Sequence, residues 1–241
     1  MSLKQSIDKF IPKHFGGNGL LNLMDAVSFL TPLSKKRAIK HLTYNREQWE
    51  KTKREAMNGR FIENQHKLKE LLYGKSVKTL DKMFTGGIPI NASNNSCGIV
   101  AIYNVFEDLG LNPDFSKLLF DFERKGVVLL GYFGSSFRQI VRYIRDNGLK
   151  YEALAGKKIT PDNVDRLQSE YRAFIMMTYN NSESVFDMMH TMSITDMGDG
   201  YQIHNSFDGG LRYPDLKAAV FGYNKKENSR SKPVGIIGIK R

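Results

Sequence analysis

The chain contains a single cysteine, Cys97, in the segment Asn94-Asn95-Ser96-Cys97-Gly98. The residues that follow it have a helical pattern of apolar side chains, so we predict that Cys97 lies in the first turn of a helix. There the positive end of the helix dipole and the unpaired backbone N–H groups favour the thiolate, which is the nucleophilic form of cysteine. This position predicts a nucleophile, and the alternative is an inert small side chain in a core.

A histidine and an asparagine lie on a predicted β-hairpin near the end of the chain. If residues 196–199 form a four-residue loop, His190 falls directly opposite Asn205. Because side chains alternate between the two faces of a strand, both then share the apolar face of the hairpin. We predict that His190 holds the Cys97 thiolate as an ion pair and that Asn205 orients its ring. The alternative is a structural histidine at the edge of a core.

A Cys–His–Asn arrangement acts on acyl groups through a thioester, and its transition state carries an oxyanion that needs hydrogen-bond donors. We predict that the backbone N–H of Cys97 is one donor. The side-chain amide of Asn91, six residues earlier, is the predicted second donor. Asn94 and Asn95 lie on the same loop and are alternatives to Asn91.

The elements that would position these residues follow from the hydrophobic pattern. After residue 87, helices come first and strands later, an order that predicts an α+β fold with an antiparallel sheet. The predicted helices cover residues 97–109, 114–124 and 135–146, and the predicted strands cover residues 173–179, 190–195, 201–205 and 234–240.

Residues 1–87 are predicted to form a separate helical extension, with helices from about residue 20 to 30, from a cap at Ser34 past Trp49, and over about residues 60–72. Two glycines and a proline at 86–89 predict a linker. Up to Thr85 there are 17 Lys/Arg against 8 Asp/Glu, whereas the rest of the chain is nearly balanced. This charge predicts either a solvated face or an acidic partner such as nucleic acid, anionic lipid or an acidic peptide.

Four further features agree in order and spacing with one known family. They are the amide residue six before the cysteine, a helix ending in Asp108-Leu109-Gly110-Leu111, the segment Gly131-Tyr132-Phe133-Gly134-Ser135-Ser136 before a helix that ends in Asn147-Gly148-Leu149-Lys150, and His190 followed by Asp199-Gly200-Tyr201 and Asn205.

With these features, residues 88–241 resemble the papain-like cysteine peptidases that process bacteriocin precursors after a double glycine, and their bacterial relatives. The resemblance implies a papain-like fold whose helical half carries the cysteine and whose antiparallel sheet carries the histidine. The family usually has Gln where this chain has Asn91, and the bacteriocin-processing branch usually has Asp where it has Asn205. The resemblance therefore implies a distant relative with its own peptide or protein substrate.

The sequence thus predicts a thiol hydrolase that acts on a peptide or isopeptide bond and needs no cofactor or metal, since His14, His41 and His66 have no partners at metal-ligand spacing. Two alternatives stay open: an acyltransferase or amidase with the same triad, and a binding module with a vestigial site. One cysteine excludes an intramolecular disulfide, and no apolar run is long enough to cross a membrane. A native N-terminus would indicate the cytoplasm, and a removed signal would indicate the cell surface or secretion.

Overall fold

The computed structural model describes residues 32–179, 189–206, 210–223 and 231–241. Over these residues the chain combines helices with an antiparallel sheet, so the predicted α+β class is confirmed. The helix expected from about residue 20 to 30 lies outside the described residues.

The first six helices precede the main sheet along the chain, as expected, whereas α7 and α8 lie between its strands. They are α1 (Lys35–Ala56), α2 (Lys78–Phe84), α3 (Ala92–Asn95), α4 (Cys97–Asp108), α5 (Phe115–Lys125), α6 (Phe137–Asp146), α7 (Pro161–Glu170) and α8 (Leu216–Gly222). The strands are β1 (Met57–Asn58), β2 (Phe61–Ile62), β3 (Lys150–Ala155), β4 (Ala173–Tyr179), β5 (Met189–Asp196), β6 (Tyr201–His204), β7 (Arg212–Tyr213) and β8 (Lys232–Lys240).

Six strands form one antiparallel sheet in the order β3-β8-β4-β5-β6-β7, and β1 and β2 form a separate short hairpin. Two cores lie on opposite faces of this sheet. The larger core contains buried side chains of α4, α5 and α6, and the smaller core contains those of α7 and α8. The sheet therefore has a helical layer on each side, and α4 packs directly on β5.

Helix α4 is buried because every residue from Gly98 to Phe106 except Asn104 is apolar, as expected of a helix inside a domain. Its first turn packs closely on α6. A Cβ atom at Gly98 would lie 2.9 Å from Cδ1 of Ile140 and 3.3 Å from Cβ of Ser135. A glycine directly after Cys97 thus allows the cysteine end of α4 to approach its neighbours.

Helix α1 begins at the predicted cap, where the Ser34 hydroxyl accepts a hydrogen bond from the backbone N–H of Arg37 at 3.4 Å. The helix expected over about residues 60–72 is wrong, because the chain there forms β2 and a 3₁₀ turn at Gln65–Leu68. The side chain of Asn104 on α4 explains the difference. It accepts from the backbone N–H of Ile62 at 2.8 Å and donates to the carbonyl of Ile62 at 3.0 Å.

The segment before residue 74 belongs to the larger core. Apart from Phe61, its large buried side chains lie in the same apolar cluster as Ile99 and Ile102 of α4, so within the described residues the core is not divided at Gly87. Whatever residues 1–31 form, residues 33–73 are part of the domain that carries Cys97. The buried apolar residues of this segment are Leu33, Ala56, Phe61, Ile62, Leu68, Leu71 and Tyr73.

The register of the β5–β6 hairpin differs by two residues from the prediction. Asp196 pairs with Tyr201 and Ser193 with His204, so the loop is residues 197–200 and His190 is not directly opposite Asn205. The loop is closed by a hydrogen bond from the Met197 backbone N–H to the Gly200 carbonyl at 2.8 Å. A shift of two residues leaves every side chain on its predicted face of the sheet.

Candidate active site

Cys97 is the first residue of α4 and is partly exposed. Desolvation of the thiol by the surrounding protein has the largest effect on its pKa and raises it. Hydrogen bonds from the backbone and hydroxyl of Thr191 on β5, and from the backbone of Gly98 and of Cys97 itself, lower the pKa but do not outweigh burial. The structure therefore favours a protonated thiol in the resting protein, in place of the predicted thiolate.

Two buried residues near Cys97, Tyr73 and Ser135, are hydrogen-bonded to each other. The Tyr73 hydroxyl lies 3.2 Å from the Ser135 hydroxyl, and burial raises the pKa of Tyr73. Tyr73 also interacts electrostatically with Cys97, which places its phenol near the sulfur. Sequence reasoning missed Tyr73 because it assigned residues 60–72 and the glycine after Tyr73 to a separate extension. No local signal links Tyr73 to the cysteine.

His190 is buried at the beginning of β5, next to Thr191 in the chain. Its Nε2 lies 2.7 Å from the backbone carbonyl oxygen of Asn205. Because a carbonyl oxygen only accepts hydrogen bonds, Nε2 carries the hydrogen, and in the neutral ring Nδ1 is the basic nitrogen. Burial lowers the pKa of His190, and the hydrogen bond to Asn205 opposes that shift. His190 is therefore a neutral base at neutral pH.

The side chains of Cys97 and His190 are not joined by a hydrogen bond in the described part of the chain. Strand β5 pairs with β4 in continuous register from Met189 to Thr195. Met189 packs against the larger core, which contains α4, whereas Met192 lies in the smaller core. Alternation then directs the side chain of His190 away from the α4 face. The structure brings Cys97 to Thr191, the neighbour of His190, and does not bring the ring of His190 to the sulfur.

The side chain of Asn205 does not orient the ring as predicted. Its Oδ1 accepts from the backbone N–H of Gln65 at 3.1 Å, and its Nδ2 donates to Oε1 of Gln65 at 2.8 Å. The backbone N–H of Asn205 donates to the Glu63 carboxylate at 3.0 Å. Asn205 has a φ of 57°, a left-handed conformation that asparagine tolerates better than most residues. Asn205 therefore contacts His190 through its backbone carbonyl.

Asn91 is the N-cap of the short helix α3, which leads into Cys97. Its Oδ1 accepts from the backbone N–H of Ser93 at 3.0 Å and from the Ser93 hydroxyl at 2.7 Å. These two bonds fix the amide oxygen, so Nδ2 is the atom that remains to donate to an oxyanion. Asn94 uses its own side-chain oxygen to accept from the backbone N–H of Asn91 at 3.1 Å. Asn91 therefore stays the predicted donor, and its role as the N-cap of α3 fixes its position in the loop.

Gln65 links the predicted residues to one another, and sequence reasoning missed it. Besides its two contacts with Asn205, its Nε2 donates to the backbone carbonyl of Ser93 at 3.0 Å. A continuous set of hydrogen bonds thus runs from Asn91 through Ser93, Gln65 and Asn205 to His190. No pattern in the sequence predicts this set, because it joins three segments that are far apart in the chain.

Another histidine, His204, lies on the α4 face of the sheet, opposite to the face of His190, and is buried. Nδ1 of His204 lies 2.5 Å from the Glu63 carboxylate, its ring stacks on Phe61 at 4.1 Å, and Ser193 pairs with it across the strands. Its Nε2 and the hydroxyl of Ser193 have no hydrogen-bond partner within the described residues. Because Ser193 and His204 are almost fully buried, substrate cannot reach them, and we assign them to the packing of β5 and β6 against β2.

No model of a known protein family matches the chain, and no curated protein is significantly similar to it. Across the described ranges, no helix is long and apolar enough to cross a membrane. In the same part of the chain, no three His, Cys, Asp or Glu side chains lie close enough together to hold a metal ion.

Proposed function

We propose that this protein is a papain-like cysteine hydrolase that cleaves a peptide or isopeptide bond, with Cys97 as nucleophile and His190 as acid and base. One observation carries the proposal. The partly exposed thiol of Cys97 lies at the N-terminal end of a buried helix and is hydrogen-bonded to Thr191 on β5. Thr191 directly follows His190, a neutral histidine whose tautomer is fixed by a hydrogen bond. Nucleophilic catalysis by cysteine requires a thiol at such a position and a base that can reach it, and His190 on the adjoining strand is the base proposed here.

The reaction begins from a neutral pair. As the sulfur of Cys97 attacks the carbonyl carbon, the thiol proton passes to Nδ1 of His190, and an S–C bond forms. The imidazolium then gives that proton to the leaving amine as the C–N bond breaks, which leaves a thioester. Water, deprotonated by His190, hydrolyses the thioester and regenerates the thiol. His190 is the second residue of β5, and for the first step its ring has to turn toward Cys97 at this end of the strand.

The oxyanion of each tetrahedral intermediate would be held by two donors. The backbone N–H of Cys97 is at the N-terminus of α4, where backbone N–H groups lack helical acceptors. The side-chain Nδ2 of Asn91 is the second donor, since its amide oxygen is fixed by Ser93. Both donors lie on the cysteine side of the site, so the oxyanion and the leaving amine face different parts of the protein.

The test is a peptide-library digestion, read by product mass, with the intact protein and with Cys97→Ala. We expect cleavage by the intact protein, none by Cys97→Ala, and the same urea unfolding midpoint for both. Because Cys97 is the only cysteine, a thiol-directed peptidyl probe must add its mass at this residue. Equal turnover by a folded Cys97→Ala protein would refute the proposal. Products that carry an added amine would indicate acyl transfer in place of hydrolysis.

A further inference from the structure

We propose that Gln65 is a positioning residue that couples the cysteine loop to the histidine-bearing sheet. This inference rests on the proposed function and concerns the same site. Gln65 is 6% exposed and comes from the segment after β2, outside the part of the chain where the chemistry was expected. It is the one residue in the hydrogen-bond set from Asn91 to His190 that bonds both to the α3 loop and to the end of β6.

On the sheet side, Gln65 fixes the conformation of Asn205. The backbone and side chain of Gln65 occupy both ends of the Asn205 amide, and Glu63 holds the Asn205 backbone N–H. The carbonyl oxygen of Asn205 is thereby directed at Nε2 of His190. If that carbonyl turns away, the hydrogen is no longer held on Nε2, and Nδ1 ceases to be the predominant basic nitrogen.

On the helical side, Gln65 holds the loop that precedes the nucleophile. Its Nε2 donates to the carbonyl of Ser93, and the other polar atoms of Ser93 are bound by Asn91. Helix α3 ends at Asn95, one residue before the N-cap of α4, so a shift of Ser93 displaces Asn91 and Cys97 together. One side chain thus sets the spacing between the donor, the nucleophile and the base.

Two variants separate the two contacts. Gln65→Glu keeps an oxygen that accepts from Asn205 but cannot donate to Ser93. Gln65→Ala removes both side-chain contacts and leaves the backbone bond to Asn205. Gln139→Ala is the matched control, because Gln139 is also a buried glutamine, 7% exposed, whose amide donates to backbone carbonyls, on α6 outside the site.

The readout is the rate of iodoacetamide alkylation of Cys97 at pH 7.5, divided by the rate at pH 10. At about pH 7.5, between the ordinary pKa values of histidine and cysteine, the proposed function requires neutral His190 to take the thiol proton as the sulfur reacts, so alkylation there depends on how readily the ring reaches Cys97. At high pH the free thiolate reacts without a base. The ratio therefore reports how readily His190 accepts the thiol proton, because an equal change in access to Cys97 alters both rates alike. Urea unfolding of each variant accompanies the measurement, and His190→Ala gives the ratio without a base.

We expect Gln65→Ala to lower this ratio roughly tenfold, because it displaces the catalytic groups from one another. Gln65→Glu should lower the ratio less, and Gln139→Ala should leave it unchanged. If His190→Ala lowers the ratio but Gln65→Ala does not, the role of Gln65 is refuted while the proposed function stands. If His190→Ala itself matches the intact protein, the proposed function fails. Should Gln65→Ala not fold, Asn205→Gly breaks the same pair, since glycine suits a φ of 57°, and an unchanged ratio there overturns the inference.

Discussion

Removal of residues 1–87 should unfold the rest of the protein, although the sequence predicted an independent domain after Gly87. Five large apolar side chains between residues 33 and 73 are buried in the core shared with α4. At about 2 kcal/mol for each buried side chain, they contribute on the order of 10 kcal/mol. That loss is as large as the whole stability of a typical domain, about 5–15 kcal/mol. The chain beginning at Ile88 should therefore lack a cooperative transition.

Urea unfolding followed by near-ultraviolet circular dichroism tests this expectation. The matched control is a chain that begins at Pro32, which keeps every buried side chain of the segment and the cap at Ser34. We expect the control to unfold cooperatively and the chain from Ile88 to show no near-ultraviolet signal in the absence of urea. A cooperative transition for the chain from Ile88, with alkylation of Cys97 as in the intact protein, would refute the reasoning from the shared core.

The remaining predictions concern the site. Because burial raises the pKa of Cys97 and lowers that of His190, alkylation by iodoacetamide should be slow at pH 6 and accelerate above the ordinary cysteine pKa; a plateau already reached at pH 6 would indicate a resting ion pair. Asn91→Ala should lower turnover by roughly 10²-fold with little change in substrate binding, measured as kcat and KM; a silent Asn91→Ala beside a damaging Asn94→Ala would move the donor to Asn94. Asn205→Ala should be about 1–2 kcal/mol less stable in urea than Asn205→Gly, because its left-handed φ strains alanine; equal stabilities would contradict a left-handed Asn205.

The local pattern of apolar and polar residues was sufficient to predict the helix and the strands that carry the proposed site residues. The apolar run after Cys97 predicts α4 because a helix whose residues are almost all apolar has few stable alternatives to burial. The strands that contain Phe174 and His190 also follow from short apolar runs between polar turns. The faces of β5 were predicted even though the register was not, since a shift of two residues preserves alternation.

Tertiary structure decided what the residues do to one another. The register of β5 and β6 depends on whether Asp196 joins the strand or the loop, and composition allows both. The segment around Gln65 has a helix-like apolar spacing, yet Asn104 on α4 binds its neighbour Ile62 and holds the chain extended there. Contacts of this kind join residues about 40 to 140 positions apart in the chain.

The sequence by itself therefore determined the residue types available for chemistry and the elements that carry Cys97 and His190, because both depend on neighbours within one turn or one strand. Only the tertiary structure assigned the side chain of Asn205 to Gln65 and its carbonyl to His190. It also set the protonation of the thiol and the imidazole, since burial depends on the whole fold. A hydrogen bond or a desolvated group is a property of distant segments packed together, and no local pattern encodes it.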